Sequence, residues 1–201
     1  MKIIGLTGKA SAGKNVVASS FARQGCSVID VDQLGHVVLE LNQNLLGETF
    51  GPGILREGKV DRKALGALVF SDPEKLKALE AIMHPAMVRE CKHLIEKAEE
   101  QGTEALLINA ALLYRMQLYR LCDQVVFVKA PLFRRLVRSK KREDITLKNF
   151  LARERAQMDI REDVFPSSLP VFKLCNDTDT ALIHRQVAAY CARIGIGVSS
   201  S

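Results

Sequence analysis

Five short apolar runs, each followed by a stretch with helical spacing, give this chain its rhythm. The runs fall at residues 2–7, 27–31, 104–109, 124–129 and 171–175. Ser27-Val28-Ile29 and Gln124-Val125-Val126-Phe127-Val128 are the clearest strands, being short and rich in β-branched residues. Helices are expected over 13–24, 131–141, 146–158 and 178–193. Strands alternating with helices predict an α/β fold, a three-layer sandwich whose five-stranded parallel sheet is covered on both faces.

The interval 32–101 breaks that rhythm and reads as wholly helical. Gly51-Pro52-Gly53 punctuates it, and Ser71-Asp72-Pro73-Glu74 is a helix start. His84-Pro85 reads as a further helix-start turn with Pro85 in the first turn, the competing reading being a group that positions substrate phosphate. After it, Met87, Val88, Cys91, Leu94, Ile95 and Ala98 recur at helical spacing, with Arg89, Glu90, Lys92, Glu96 and Lys97 opposite. So long a connection exceeds a simple crossover, and an inserted helical lobe carrying a second substrate is the economical reading. One domain is therefore expected, with its core in 1–31, 102–140 and 159–195 and the lobe at 32–101. The tail, 195–201, is expected to fray.

The strongest chemistry lies at the first strand-to-helix junction. Gly8-Lys9-Ala10-Ser11-Ala12-Gly13-Lys14 follows Ile3-Ile4-Gly5-Leu6-Thr7 and precedes Val16-Val17-Ala18. Glycines let successive N–H groups point at one anion, and the helix start adds its positive dipole end. A nucleoside triphosphate is the expected ligand, held by Gly8, Ser11, Ala12, Gly13, Lys14, Asn15 and Val16. Lys14 reaches for the β- and γ-phosphates. The full pattern ends in Ser or Thr, whose hydroxyl holds Mg²⁺; here Asn15 stands there, and its amide oxygen is the candidate ligand. The competing reading is a plain glycine-rich turn.

The second strand ends in Ile29-Asp30-Val31-Asp32. Ligands of open parallel sheets sit beyond the carboxyl ends of the strands, so these acids are expected to face the loop. Alternation sends both carboxylates to one side, unless Asp32 has already left the strand. One can accept a proton from an attacking hydroxyl while the other organises Mg²⁺ or a substrate ribose; the competing reading has Asp32 capping a helix.

Length and composition narrow the classes further. At 201 residues and 47% hydrophobic, the chain can bury one real core. No apolar run approaches ~18 residues, and the opening residues form a strand rather than a signal peptide, so no membrane partner is expected. Five scattered cysteines without CxxC spacing point to a reducing cytoplasm rather than to metal or redox sites. His36, His93 and His184 lack partners at metal-ligand spacing. The net charge of +6 is concentrated in Arg134, Arg135, Arg138, Lys140, Lys141 and Arg142, with Lys129 upstream. Only Phe133 interleaves the cluster, which disfavours nucleic acid and favours phosphorylated small molecules. A helix ending in these cations, followed by a short loop, can close as a lid over 141–158; the competing reading is a solvated helix face. Asn176-Asp177 reads either as an adenine contact or as a turn. GxSxG and HExxH are absent from the sequence. The oligomeric state stays open between a monomer and a small homo-oligomer.

Taken in order, these segments resemble the dephospho-CoA kinase family over residues 1 to about 190. Ile4-Gly5-Leu6-Thr7-Gly8 with Gly13-Lys14 is similar to the family's opening, and Gly25 with Val28-Ile29-Asp30-Val31-Asp32 to its next strand. Phe50-Gly51, Gly58-Lys59-Val60-Asp61-Arg62, Leu65 and Val69-Phe70 resemble the following segment. Leu79-Glu80-Ala81-Ile82-Met83-His84-Pro85 resembles the family's "L-x-x-I-x-H-P" stretch. Arg142-Glu143-Asp144, Arg153 and Gln157 resemble its lid and lid helix.

The resemblance implies a P-loop kinase sandwich with a substrate lobe and a lid. It implies transfer of the γ-phosphoryl group of ATP, with Mg²⁺, to the 3′-hydroxyl of dephospho-CoA. By position, Asp32 matches the family's proposed base, Lys14 its phosphate lysine and Arg142 its lid arginine. Arg138 joins the nucleotide contacts, Asn176 lies near the adenine, and Asp30, His84 and Leu112 join Asp32 on the substrate side. The lobe helps to hold the CoA portion.

Departures are equally specific. Where the family reads "G-G-I-G-S-G-K-S", this chain differs at Lys9, Ala10, Ser11, Ala12 and Asn15. Where the family reads "P-L-L-F-E", this chain has Ala111-Leu112-Leu113-Tyr114-Arg115, a charge reversal at its last position. These changes bear on Mg²⁺ handling and turnover. Competing readings are a kinase of another small acceptor and a nucleotide-binding relative that does not turn over.

Overall fold

Ile4 and Leu6 alternate with Gly5 and Thr7 on a strand with no exposed face, because β1 (Lys2–Thr7) runs up the middle of the sheet. The computed structural model describes residues 1–143, 145–177 and 179–197. Asp144 of the expected lid, Thr178 of the last expected helix and the tail residues 198–201 lie outside the described residues. β2 (Ser27–Asp30), β5 (Ala105–Asn109), β6 (Gln124–Lys129) and β7 (Val171–Cys175) complete a five-stranded sheet in the order β2-β5-β1-β6-β7. Every pairing is parallel. All five residues of β5 are buried, as a parallel strand covered on both faces requires.

The chain divides into two compact units, Met1–Asp30 with Ile95–Ser201, and Val31–Leu94. In the first, α1 (Lys14–Arg23) turns Val17 and Phe21 into the core. They meet α8 (Thr180–Arg193), which supplies Ile183, Val187, Tyr190 and Cys191. Phe21 and Tyr190 meet edge to face at 5.8 Å. Each such fully buried apolar side chain stabilises the unit by about 1.5–3 kcal/mol. His184 of α8 is structural, hydrogen-bonded to Ser20 and Arg23 of α1. α6 (Leu132–Glu143) and α7 (Leu147–Ala156) follow β6; Thr146 caps α7 by accepting from the Asn149 amide.

The second unit holds α2 (Val31–Leu41), α3 (Gln43–Phe50), α4 (Arg62–Phe70) and the greater part of α5 (Pro73–Glu100). It is not wholly helical. A two-stranded hairpin, β3 (Leu55–Arg56) with β4 (Lys59–Val60), interrupts it. Its two-residue turn, Glu57-Gly58, has both residues at positive φ, 51° and 77°, the geometry whose twist matches paired strands. Asp61 then caps α4 through the amides of Lys63 and Ala64, and Asp72 receives the Glu74 amide at the start of α5.

His84-Pro85 is not a helix start: α5 runs unbroken through it. Apolar positions 76, 79, 83 and 86 keep one helical phase across the proline, Met83 and Ala86 are buried, and Pro85 itself faces solvent. Burial on the inner side thus outweighs the hydrogen bond that proline removes. The strand alternation expected for Asp30 and Asp32 also fails. β2 ends at Asp30, and Asp32 already lies in the first turn of α2, where an acid favours the helix dipole.

Among the described residues, no helix is long and apolar enough to cross a membrane, and no group of His, Cys, Asp or Glu is placed to hold a metal by itself. All five cysteines are free thiols.

Candidate active site

Register brings the carboxyl ends of four strands together. Asp30 pairs with Asn109, Asn109 with Leu6, and Thr7 with Phe127, so the carboxyl ends of β2, β5, β1 and β6 meet where the loop 8–13 leaves β1. The loop lies against β6: a Cβ added at Gly8 would meet the Val128 carbonyl oxygen at 2.5 Å. At the far end Gly13 precedes α1, and Lys14 and Asn15 open the helix. Lys14 Nζ folds back to donate to the Gly8 carbonyl at 3.1 Å. This puts a cation and a helix N-terminus at one concave turn, an anion site by construction. Val16, in the first turn of α1, is 37% exposed.

Between its glycines the loop is held from outside. The Ala10 amide donates to Gln157 Oε1 at 2.8 Å. The Ser11 and Ser139 hydroxyls lie 2.7 Å apart. The Ala12 carbonyl accepts from Asn176 Nδ2 at 2.7 Å and from Arg138 at 3.4 Å, and Arg138 Nη2 also donates to Asn176 Oδ1 at 2.9 Å. Asn176 is buried. Its amide braces the loop, the Nδ2 toward the Ala12 carbonyl and the Oδ1 toward Arg138.

The basic cluster of α6 splits by role. Arg135 is buried and makes a two-pronged ion pair with Glu154 of α7, which also faces Lys9 Nζ at 3.5 Å. Burial opposes the charge on Glu154, but hydrogen bonds and charge from Arg135, with help from Lys9, hold its carboxyl below the usual value. Arg138 points to the loop, whereas Arg134, Lys140, Lys141 and Arg142 are exposed, Arg142 in the last turn of α6. A cavity of about 420 Å³ opens beside the loop, lined by Lys9, Ala12, Val128, Lys129, Arg135 and Arg161 among others.

Arg115, where the sequence reverses a charge, forms a two-pronged pair with Asp159 at 2.7 and 3.0 Å and donates to the Ala156 carbonyl. The Arg115 hydrogen bonds hold the Asp159 carboxyl below its usual value. Leu112 is half-buried just after β5, where Thr7 Oγ1 donates to the Ala111 carbonyl. Asp32 and His84 belong to the other unit, Asp32 exposed in α2 and His84 half-buried within α5.

Sequence reasoning missed Asn109. Buried at the end of β5, it donates to Asn15 Oδ1 at 3.4 Å, while its own Oδ1 has no hydrogen-bond partner among the described residues. The available signal was a polar residue closing an otherwise apolar strand, Ala105-Leu106-Leu107-Ile108-Asn109. Ser139 and Glu154 were likewise passed over, being ordinary polar residues on amphipathic helices.

With this geometry in view, the comparisons are direct. Residues 2–178 match the family model of dephospho-CoA kinase. The chain belongs to the dephospho-CoA kinase family. A dephospho-CoA kinase of Wolinella succinogenes is 36% identical over 161 residues, covering 80% of each chain. One of Dehalococcoides mccartyi is 31% identical over 186 residues, covering 89% of this chain and 92% of that protein. Among solved structures, a Thermus thermophilus protein superposes with a TM-score of 0.79 at 31% identity, covering 98% of both chains. The Acinetobacter baumannii shikimate kinase, at TM-score 0.55 and 14% identity with 96% and 94% coverage, shares the fold. Dephospho-CoA kinase family membership thus confirms the expected P-loop kinase sandwich.

Proposed function

We propose that this protein transfers the γ-phosphoryl group of ATP to the 3′-hydroxyl of dephospho-CoA, giving coenzyme A and ADP. The observation that carries the reading is the loop 8–15, a strand-to-helix anion cradle with Lys14 folded over it, in a chain matching the family over residues 2–178. The 3′-oxygen forms a bond to the γ-phosphorus as the bond from that phosphorus to the β–γ bridging oxygen breaks. The hydroxyl proton passes to the Asp32 carboxylate. Such transfer is mostly positioning and charge stabilisation. Loop amides and Lys14 hold the β- and γ-phosphates, Arg138 stands beside the loop, and Arg142 closes over the phosphates with the lid and excludes water. Gly8, Ser11, Ala12, Gly13, Asn15 and Val16 line the nucleotide side; Asp30, His84 and Leu112 orient the acceptor, with the lobe holding the CoA portion. We place the reaction in the cytoplasm, where five free thiols stay reduced.

Mg²⁺ fits as an ion shared with the nucleotide. The orphaned Asn109 Oδ1, the Asn15 amide oxygen and the Asp30 carboxylate at the neighbouring strand end form an oxygen-only set, too weakly charged to hold the ion without phosphates. When bound, the ion supplies neutralisation of charge on the β- and γ-oxygens. Asn15→Ser, which restores a hydroxyl there, is expected to lower the Mg²⁺ concentration needed for half-maximal turnover. An unchanged Mg²⁺ titration would show the amide to be an adequate substitute.

The deciding experiment is ADP release from the purified protein with ATP and Mg²⁺, with and without dephospho-CoA. Acceptor-dependent ADP supports the reading; ATP binding without it overturns the reading. Asp32→Asn should then lower kcat about 10²-fold, the lower end for a general base, while ATP affinity stays within twofold. Wild-type turnover in that variant removes Asp32 from the proton transfer.

A further inference from the structure

The residue at the crown of the phosphate loop is Ser11, and its φ is +58°, in the left-handed region that a side-chain-bearing residue adopts only under strain. There is no glycine between Gly8 and Gly13 to carry that turn. Left to local preference, the segment would relax toward negative φ and turn its amides away from a common centre. Something outside the loop has to hold it. Ser139 on α6 is 0% exposed, and its hydroxyl lies 2.7 Å from the Ser11 hydroxyl. A hydroxyl so buried has no water to exchange for its partner, so losing the pair costs more than an exposed hydrogen bond would. On either side, Gln157 holds the Ala10 amide, and Asn176 and Arg138 hold the Ala12 carbonyl. Three consecutive loop residues are thus each gripped by a side chain from another element, and Ser139 grips the strained one.

We propose that Ser139 is a positioning residue for the nucleotide's phosphates: its hydroxyl fixes Ser11 in the left-handed turn that glycine would adopt unaided. This rests on the loop being the nucleotide site, and not on which acceptor is phosphorylated. Ser139 does not touch the phosphates. It acts through Ser11, and its effect therefore depends on what residue 11 is. In a loop with glycine at that position the tether has nothing to hold.

The test is a double-mutant cycle read by calorimetric titration of MgATP into the acceptor-free protein. Ser139→Ala should weaken MgATP binding about fivefold to tenfold. Ser11→Ala, which removes the same pair from the loop side and keeps the Cβ that makes a left-handed φ costly, should weaken it by a similar factor. Ser11→Gly should bind at least as tightly as the unaltered protein, and adding Ser139→Ala to Ser11→Gly should cost less than twofold. Alanine suits a helix interior and is close to serine in volume, so Ser139→Ala keeps the helix; the Ser11→Ala arm stands in if it does not. An equal loss in both backgrounds would make Ser139 a packing residue, and no loss in the serine background would make the hydroxyl pair irrelevant. Either result overturns the proposal. Absence of any MgATP binding by the unaltered protein would instead overturn the nucleotide site itself.

Discussion

Lys14→Ala is expected to abolish acceptor-dependent ADP release, a fall of at least about 10³-fold in kcat/KM for ATP. A factor of that size corresponds to about 4 kcal/mol of transition-state stabilisation. Three physical facts set it. Lys14 is the first residue of α1, so its charge adds to the helix N-terminus. Its ammonium already lies over the loop, 3.1 Å from the Gly8 carbonyl, and needs little reorganisation to meet a phosphate. Cations aimed at a transferring phosphoryl group are commonly worth 10³ or more. The fold does not depend on this side chain, which is half-buried at the loop's rim, so the melting temperature without nucleotide should move by less than about 3 °C. MgATP should raise the melting temperature of the unaltered protein and not of the variant, because stabilisation follows ligand binding by mass action. Retention of a tenth of the turnover would mean that Lys9 or Arg138 supplies the charge, and would remove Lys14 from its assigned role.

The sheet was legible because its strands announce themselves. Val125–Val128 and Leu106–Ile108 are apolar runs too short for helices, and both are fully buried. The loop was legible because Gly8 and Gly13 bracket it and Lys14 follows, a spacing with a mechanism behind it. The hairpin in the second unit was not, since two-residue strands carry no periodicity, and only the Glu57-Gly58 turn marks them. Continuity of α5 across Pro85 was hidden for the opposite reason: a local breaker is strong in sequence, while the buried stripe that overrides it is a tertiary fact.

In the site, side chains that touch ligand are easier to read than those that hold the loop. Arg135 looked like one more lid cation, yet its burial against Glu154 makes it structural. Asn176 read as a turn or an adenine contact, and that its amide also spans the Ala12 carbonyl and Arg138 was not legible. Arg115 stood out only as a charge reversal, and Asp159 engages it, a partner 44 residues away that no local pattern reveals. Such roles depend on distances between elements, which spacing along one chain does not encode.

Gly13→Ala should unfold the site from within. Gly13 has φ +97°, and a Cβ there would lie 1.9 Å from Asn176 Nδ2. Real carbon and nitrogen atoms do not approach so closely, so Asn176 must withdraw. It then gives up its bonds to the Ala12 carbonyl and to Arg138, and leaves a buried amide to find new partners. Backbone strain at positive φ adds about 1–2 kcal/mol and each stranded buried polar group about 1–3 kcal/mol, so the total is roughly 3–5 kcal/mol. The expected readings are a melting temperature lower by on the order of 10 °C and loss of MgATP binding. Gly25→Ala is the internal control. Its φ is +89° but nothing lies within 4 Å of the added Cβ, so only the strain remains, about 1–2 kcal/mol, with nucleotide binding intact. Adding Asn176→Ala to Gly13→Ala removes the clash and should recover part of the lost melting temperature, although Asn176→Ala alone is destabilising. That sign reversal is the signature of two groups competing for one space. If Gly13→Ala and Gly25→Ala cost the same, the clash carries no energy, and Asn176 is not the brace that sets the end of the loop.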